Sequence, residues 1–519
     1  MPQTTFPFAE TCLSLADLVG DHYVQAVCQA RAALSGESEA ALLAQTREAV
    51  SFYPRRFHEQ LLSRLPQVGR SVCVGLADSA TGATSQAFAA ATNRAAAPLT
   101  GYGFYRIGED GRLYFLTKSE HYHTPLGHAF PGYQLLETAR HLGVPNATHN
   151  NTRGHVTRLL EEELARAAHG LGPDAAAEFA AVLAEASPNG LNRVLNLETG
   201  SLAVEAGLKL MLARFTRIQE DAPAPVHEGR VPVFLVMGND EGELLGNYHG
   251  TTVLTQLLRG MWPSMAATMA DTELLRVCPL RPNSVADLEA AFERYEQPPY
   301  KLAGFLHEIV MMNYGAVLLT PAFLQRAYAL CAQHAVPTLV DEIQSCLWAP
   351  GLLQYREYGL RPSMVALGKG FPGGEYPASR LLFSAGLDTL PQFGALVTNG
   401  QEELASLAYL ITMRWAQENV AAITQIGDEY EGRLRELAAR HPAIVAGING
   451  RRHLAGIAFH DLSQARAFTA ALNTAGFDIS VQTYKSQCPP AALTKLPLTA
   501  CSAVVDFVIA QMERALAVN

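Results

Sequence analysis

Two charged side chains stand where buried apolar runs stop. The run VPTLV at 336–340 ends at Asp341 and Glu342, and the run MVAL at 364–367 ends at Gly368-Lys369-Gly370, so that Asp341 and Lys369 lie 28 residues apart. Short apolar runs that each end on a charge read as neighbouring strands of an open α/β sheet, whose carboxyl ends are where ligands bind. A lysine between glycines after a buried strand can approach a ligand closely. Burial disfavours its ammonium form, and the neutral amine is a nucleophile. A carboxylate one strand away can hold a heteroaromatic nitrogen in its protonated form. Lysine and acid together are what a protein brings to pyridoxal phosphate: a Schiff-base amine and a partner for the pyridinium nitrogen.

Other segments must position such a pair. The run RVLNL at 193–197 reads as a strand that feeds Thr199-Gly200-Ser201 and then a helix with Leu208, Met211, Leu212 and Phe215 on one side. Glu205 precedes Lys209 by one helical turn, which predicts an ion pair. Glycine at a helix start turns backbone N–H groups toward a phosphate. The run VPVFLVMG at 231–238 reads as a central strand, and Tyr248 and His249 come after it in GNYHGT. An aromatic ring there can stack on a flat heterocycle. Glu308 falls inside the buried run LAGFLHEIVMM, where a carboxylate needs a partner.

The ends of the chain carry less chemistry. Residues 1 to about 95 read as mostly helical, with an alanine-rich stretch before Pro98. From Gly101 the pattern alternates on both sides of Glu109-Asp110-Gly111, a hairpin signal. His121, His123 and His128 lie close together, and HxH on a strand would put two rings on one face. No further ligand accompanies them at metal spacing, so no metal site is expected. The stretch THNNTR at 148–153, which holds Asn150 and Arg153, is dense in hydrogen-bonding groups and reads as a loop. Near the C-terminus, residues 441–461 read as a hairpin turning at Asn449-Gly450.

Composition sets outer limits. The 519 residues are 49% hydrophobic and 17% charged, which fits two or three packed domains. With 39 basic and 49 acidic residues the net charge is −10, which argues against nucleic acid as a partner. No secretory leader is evident and no apolar stretch is long enough to span a bilayer. The eight cysteines are scattered without a CxxC pair, as expected of free thiols in a reducing cytoplasm.

The segments VDEIQS and ALGKGFPGGEYPAS resemble the core of the class III (ω-type) aminotransferases, which are fold-type I pyridoxal phosphate enzymes. LGHAFP at 126–131, TGSLAVEAGLKLMLAR at 199–214 and YHGT at 248–251 are similar to further motifs of that family, in the same order. The resemblance covers roughly residues 100 to 519. It implies a large doubly wound, mostly parallel sheet domain and a smaller α/β domain. The expected division is an N-terminal extension over 1–98, an entrance segment over 99–165, a cofactor domain over 166–410 and a small domain over 411–519. It also implies a homodimer with shared sites, a small-molecule amine or amino acid as donor and a 2-oxo acid as acceptor.

Residue by residue, the resemblance makes Lys369 the Schiff-base lysine and Asp341 the partner of the pyridine nitrogen. Gln344 would bond the ring's phenolic oxygen, Gly200 and Ser201 the phosphate, and Tyr248 would stack. His249 and Glu308 would stand close by, and Arg153 or Asn150 would face substrate. Thr398, 29 residues past Lys369, would reach the phosphate of the neighbouring subunit's cofactor. Lys495 stands where the family often has an arginine that receives a substrate carboxylate. Departures are Leu202, Ile309, the loop TNGQEELA and the missing Arg-Gly-x-Gly. Transamination is the reading the motifs favour. Racemisation, epimerisation or aminomutase chemistry would use the same lysine, and a degenerate binding or scaffold protein would account for the departures.

Overall fold

The structure is a computed structural model that describes residues 6–395, 397, 399–482 and 488–517. Thr398 therefore lies outside the described residues. The chain opens with helices α1 (Leu15–Val19), α2 (Asp21–Ser35), α3 (Glu39–Thr46) and α4 (Arg55–Arg64). Ser14 starts α1 through a reciprocal cap: its hydroxyl accepts from the Asp17 N–H and the Asp17 carboxylate accepts from the Ser14 N–H. This segment packs on the body of the same chain. Phe8 and Tyr53 meet Trp415 at 5.5 and 6.0 Å between ring centres, and the Thr11 hydroxyl donates to Glu418 at 2.6 Å. Residues 71–95, by contrast, are almost all exposed.

Strands β1 (Pro98–Tyr102), β2 (Tyr105–Gly108) and β3 (Leu113–Phe115) form a small antiparallel sheet. The β2–β3 turn contains Gly111 at φ +76°, as the Asp-Gly signal predicts. The histidine-rich segment beyond β3 is not a strand. Ser119, Glu120, His121 and Tyr122 all have left-handed backbone, with φ between 45° and 82°. His121 and His123 thus do not share a strand face. A run of non-glycine residues in this region is costly, and side-chain bonds hold it. Glu120 pairs with Arg106 at 2.5 Å and with His128 at 3.1 Å, and the Ser119 hydroxyl donates to the Lys495 carbonyl at 2.8 Å.

After helix α5 (His155–His169) comes the main sheet. Its strands are β4 (Leu191–Leu197), β5 (Val231–Met237), β6 (Arg276–Leu280), β7 (Tyr300–His307), β8 (Thr338–Asp341), β9 (Met364–Leu367) and β10 (Ser379–Ser384). The spatial order is β4-β10-β9-β8-β7-β5-β6, parallel except that β10 runs against both neighbours. In β5, Val233 and Leu235 belong to one core while Phe234 and Val236 belong to another. Alternate residues thus feed apolar layers on both faces, as a doubly wound sheet requires. Helices α6 (Gly200–Leu212) and α7 (Pro321–Gln333) connect its strands.

Helices α8 (Glu403–Glu418) and α9 (Val420–Arg440) lead to a second antiparallel sheet of β11 (Val445–Arg451), β12 (Leu454–Phe459), β13 (Ser480–Val481) and β14 (Ala491–Lys495), closed by helix α10 (Ser502–Ala517). The β11–β12 hairpin exists, but it does not turn at Asn449-Gly450. Those two pair with Gly456 and Ala455 inside the ladder, and Arg451 pairs with Leu454. Arg452 takes the left-handed turn position instead, at φ +52°, where Glu357 and Asp428 hold its guanidinium at 2.9–3.0 Å.

Candidate active site

The chemistry-bearing residues gather at the carboxyl ends of the parallel strands. Thr199 and Gly200 follow β4, Tyr248 and His249 come on the loop after β5, Glu308 directly follows β7, Asp341 ends β8 and Lys369 follows β9. Gly200, Ser201, Tyr248, His249, Asp341, Gln344 and Lys369 line one cavity of about 250 Å³. His123, weighed from the sequence only for a metal site, also faces it, as do Ile343, Tyr376 and Ser379, which were not singled out from the sequence. Ser379 opens the single antiparallel strand, a position that only the sheet order reveals.

The two adjacent acids have separate tasks. Asp341 accepts from His249 Nδ1–H at 2.8 Å and from the Ile343 N–H at 3.1 Å. A carboxylate oxygen only accepts, so the His249 proton on this side sits on Nδ1. Glu342 points away and accepts from the Gln354 and Tyr355 N–H groups at 2.8 and 2.6 Å. Burial pushes its carboxyl up to about 7, against the pull of those two bonds. One residue of strand alternation thus separates an acid at the cavity from an acid that caps a helical turn.

Lys369 has left-handed backbone at φ +39°, and each glycine beside it has a neighbour that excludes a side chain. A Cβ on Gly368 would lie 2.4 Å from Ser379 Oγ, and one on Gly370 would lie 2.9 Å from the Trp348 ring. Burial lowers the Lys369 amine from its ordinary range, with Glu308 and Asp341 pulling the other way. Gln344 Nε2 donates to Glu308 at 3.2 Å. That bond satisfies the carboxylate in the apolar run and leaves Gln344 Oε1 buried without a partner.

At the other end, α6 begins at Gly200 with no side-chain capping bond from Thr199, so its first N–H groups are not capped by that residue. Ser201 Oγ accepts from the Thr251 N–H at 3.1 Å and ties the helix start to the Tyr248 loop. Gly250, at φ +143°, brings that loop so near that a Cβ would lie 2.9 Å from Ser201 Cα. The expected Glu205–Lys209 pair gives way to other bonds: Glu205 accepts from the Thr252 hydroxyl at 2.8 Å and Lys209 donates to the Gly394 carbonyl at 3.1 Å. Tyr248 presents one ring face to Arg259, 4.8 Å away.

These residues fit pyridoxal phosphate. A buried amine, a buried carboxylate oriented by histidine, an amide with an unmatched buried oxygen and a helix start pared down to glycine meet in one cavity. Three further candidates stand elsewhere. Arg153 pairs with Glu161 at 3.0 Å in a different hollow. Asn150 opens a short 3-10 turn, Asn150–Thr152. Lys495 is fully buried beside the cavity and donates to the Gln344 carbonyl.

Residues 114–492 match the family described as Aminotransferase class-III. The chain belongs to the class III aminotransferases, a family of pyridoxal phosphate enzymes. It is 30% identical to an ornithine aminotransferase of Emericella nidulans over 37% of this chain and 40% of that one, so the match spans about two fifths of that relative. It is 26% identical to the 4-aminobutyrate aminotransferase GabT of Escherichia coli over 60% of this chain and 72% of that one. Among solved structures, an ornithine aminotransferase from Toxoplasma gondii, described with pyridoxal phosphate at partial occupancy in its active site, superposes with a TM-score of 0.62 at 19% identity, covering 81% of this chain and 91% of that one. A transaminase from a marine Virgibacillus gives 0.64 at 16%, covering 84% and 96%. These two likenesses concern the fold.

Proposed function

We propose that this protein moves an amino group from an amine or amino acid to a 2-oxo acid. The observation that carries this reading is the convergence of Lys369, Asp341 with His249, and the Gly200 helix start in one cavity. Pyridoxal phosphate, when bound, supplies the electron sink for the carbon that loses its proton. Lys369 Nζ would be the amine that holds the cofactor and, when free, the base that carries the proton. Asp341 would keep the pyridine nitrogen protonated, and His249 fixes that carboxylate. Gln344 would serve the phenolic oxygen, Gly200 and Ser201 the phosphate, and Tyr248 the ring. Glu308 anchors Gln344.

We take the working assembly to be a homodimer with shared sites. The exposed apolar side chains Val253, Met261, Trp262, Met265 and Leu274, beyond the Tyr248 loop, support it. Thr398 is assigned to the neighbouring subunit's phosphate on resemblance alone, and Arg153 and Asn150 to substrate on the same ground. The four-part division at residues 98, 165 and 410 is supported by the three sheets of three or more strands, whose strands fall at 98–115, 191–384 and 445–495. Cys12, Cys28, Cys73, Cys278, Cys331, Cys346 and Cys501 are free thiols, which supports a reducing cytoplasm, and among the described residues no helix is long and apolar enough to cross a membrane.

The test is to load purified protein with pyridoxal phosphate and offer a panel of amines and amino acids with a 2-oxo acid. The expected result is a new amino acid formed in step with a carbonyl product. Inversion or isomerisation of one substrate without a second product would favour the racemase or aminomutase reading instead.

A further inference from the structure

A second lysine lies beside the first and has no place in the scheme above. Lys495 closes β14 with 0% exposure. Its Nζ donates to the backbone carbonyl of Gln344 and sits 3.7 Å from the centre of the Trp348 ring and 4.2 Å from that of Tyr122. Lys369 Nζ faces the same Tyr122 ring at 5.1 Å. Two amines thus share one aromatic wall.

The surroundings say which of them keeps a proton. Two ring faces and a carbonyl oxygen favour an ammonium over a neutral amine. Lys495 has all three, and Lys369 has one ring and an open cavity. Desolvation pushes both amines down, most strongly at Lys495. The aromatic box and the carbonyl oppose that push at Lys495 and favour the proton there. The other groups facing the pair are Glu308 and Asp341, which pull Lys369 upward, and Cys346, whose thiol burial pushes up to about 12 and so leaves uncharged. Tyr122 is raised by burial and stays a phenol. His123 at the rim is lowered to about 4, by desolvation first and by the two lysines after it. Glu120 on the same turn is taken up by Arg106 and His128.

We propose that Lys495 is a positioning residue for the reaction: a boxed ammonium that shares the Tyr122 ring with Lys369 and keeps the Lys369 nitrogen unprotonated, and so nucleophilic, at neutral pH. A like charge beside a desolvated lysine is one of the known ways to activate its amine. The same bond to the Gln344 carbonyl fixes the strand end that carries Asp341 and Gln344. On this view the cation of the C-terminal strand acts on the enzyme's own lysine, from behind the cavity wall.

The inference rests on Lys369 being the cofactor lysine, and one experiment separates the two claims. The full-length protein loaded with pyridoxal phosphate is titrated from acid to alkaline pH, and the visible band is followed in wild type, Lys495→Gln, Lys495→Arg, Lys495→Met and Lys369→Ala. Glutamine keeps a donor for the Gln344 carbonyl and removes the charge. The midpoint should rise by about one pH unit in K495Q, as expected for the loss of a like charge that shares the ring wall in a poorly screened interior. K495R should stay with wild type. If K495Q does not fold, K495M is read in its place, and if neither folds, K495R decides, since an arginine that moves the midpoint would contradict a role for charge alone. An unchanged midpoint in the uncharged variants overturns the inference. A visible band that survives in K369A overturns the assignment of Lys369 itself.

Discussion

Two hollows in this molecule make an instructive pair. The cavity at the strand ends has a volume of about 250 Å³, while the hollow around Arg153 and Glu161 has about 660 Å³. Size would point to the second. Its charges, however, answer one another. Arg153 pairs with Glu161 at 3.0 Å, Arg193 faces Asp388 at 3.8 Å, and all but Glu161 are well exposed. In the smaller cavity buried groups converge, and the protein leaves part of their bonding capacity unmatched. Among the described residues, His249 Nε2 and Gln344 Oε1 are both buried without a partner. A buried polar atom left open is costly, and a site is where a ligand offsets that cost.

The largest effect that would sharpen this contrast comes from Lys369→Ala. It should lower kcat by about four orders of magnitude, measured by single-turnover kinetics. Asp341→Asn comes next, with a loss of about a thousandfold and a weaker hold on the cofactor, read by turnover and by equilibrium dialysis. Acid should then act on the fold as a whole. Burial depresses His58 and His453 to about 4 and His307 to about 3. A depressed folded-state value means that the unfolded chain binds the proton first, so stability is full above about 6.5 and is lost as the pH falls toward about 4. His453 alone would account for up to about 3 kcal/mol. His453→Gln, which can keep a donor for the Ile423 carbonyl, should flatten the fall of Tm with acid.

Smaller effects return to the two hollows. His249→Phe removes a bond to a buried carboxylate and should cost about tenfold to a hundredfold in kcat/KM, with folding intact by circular dichroism. Arg153→Ala breaks an exposed ion pair and should change stability by less than about 1 kcal/mol. A large loss of activity from it would undo the contrast and bring the second hollow into the site through a partner subunit.

Much of the cavity was legible in the chain because its groups end strands. Asp341, Lys369 and Glu308 each come after a run of buried apolar residues, and local periodicity exposes such a break. Gly200 was legible as a glycine at a helix start, but its close neighbour was not: a Cβ there would lie 2.4 Å from the Ile343 side chain. What periodicity cannot show is the partner. The His249–Asp341 bond joins residues 92 apart, and the Glu205–Lys209 expectation failed because each side chain found a better partner outside the helix. The histidine-rich stretch read as a strand, but tertiary bonds from Arg106 and Lys495 hold it in a left-handed turn. The hairpin expected at Asn449-Gly450 turns further along because Glu357 and Asp428 hold Arg452 at the corner. Trp348 could have been found from the sequence, as a tryptophan seven residues after Asp341 and shortly before Pro350-Gly351.

The central claim is that Lys369, and not its neighbour Lys495, bonds the cofactor. Borohydride treatment of the loaded protein and subsequent peptide mapping test it directly. The cofactor's added mass should appear on the peptide that contains Lys369. Its appearance on the peptide that contains Lys495, or on none, would contradict the account.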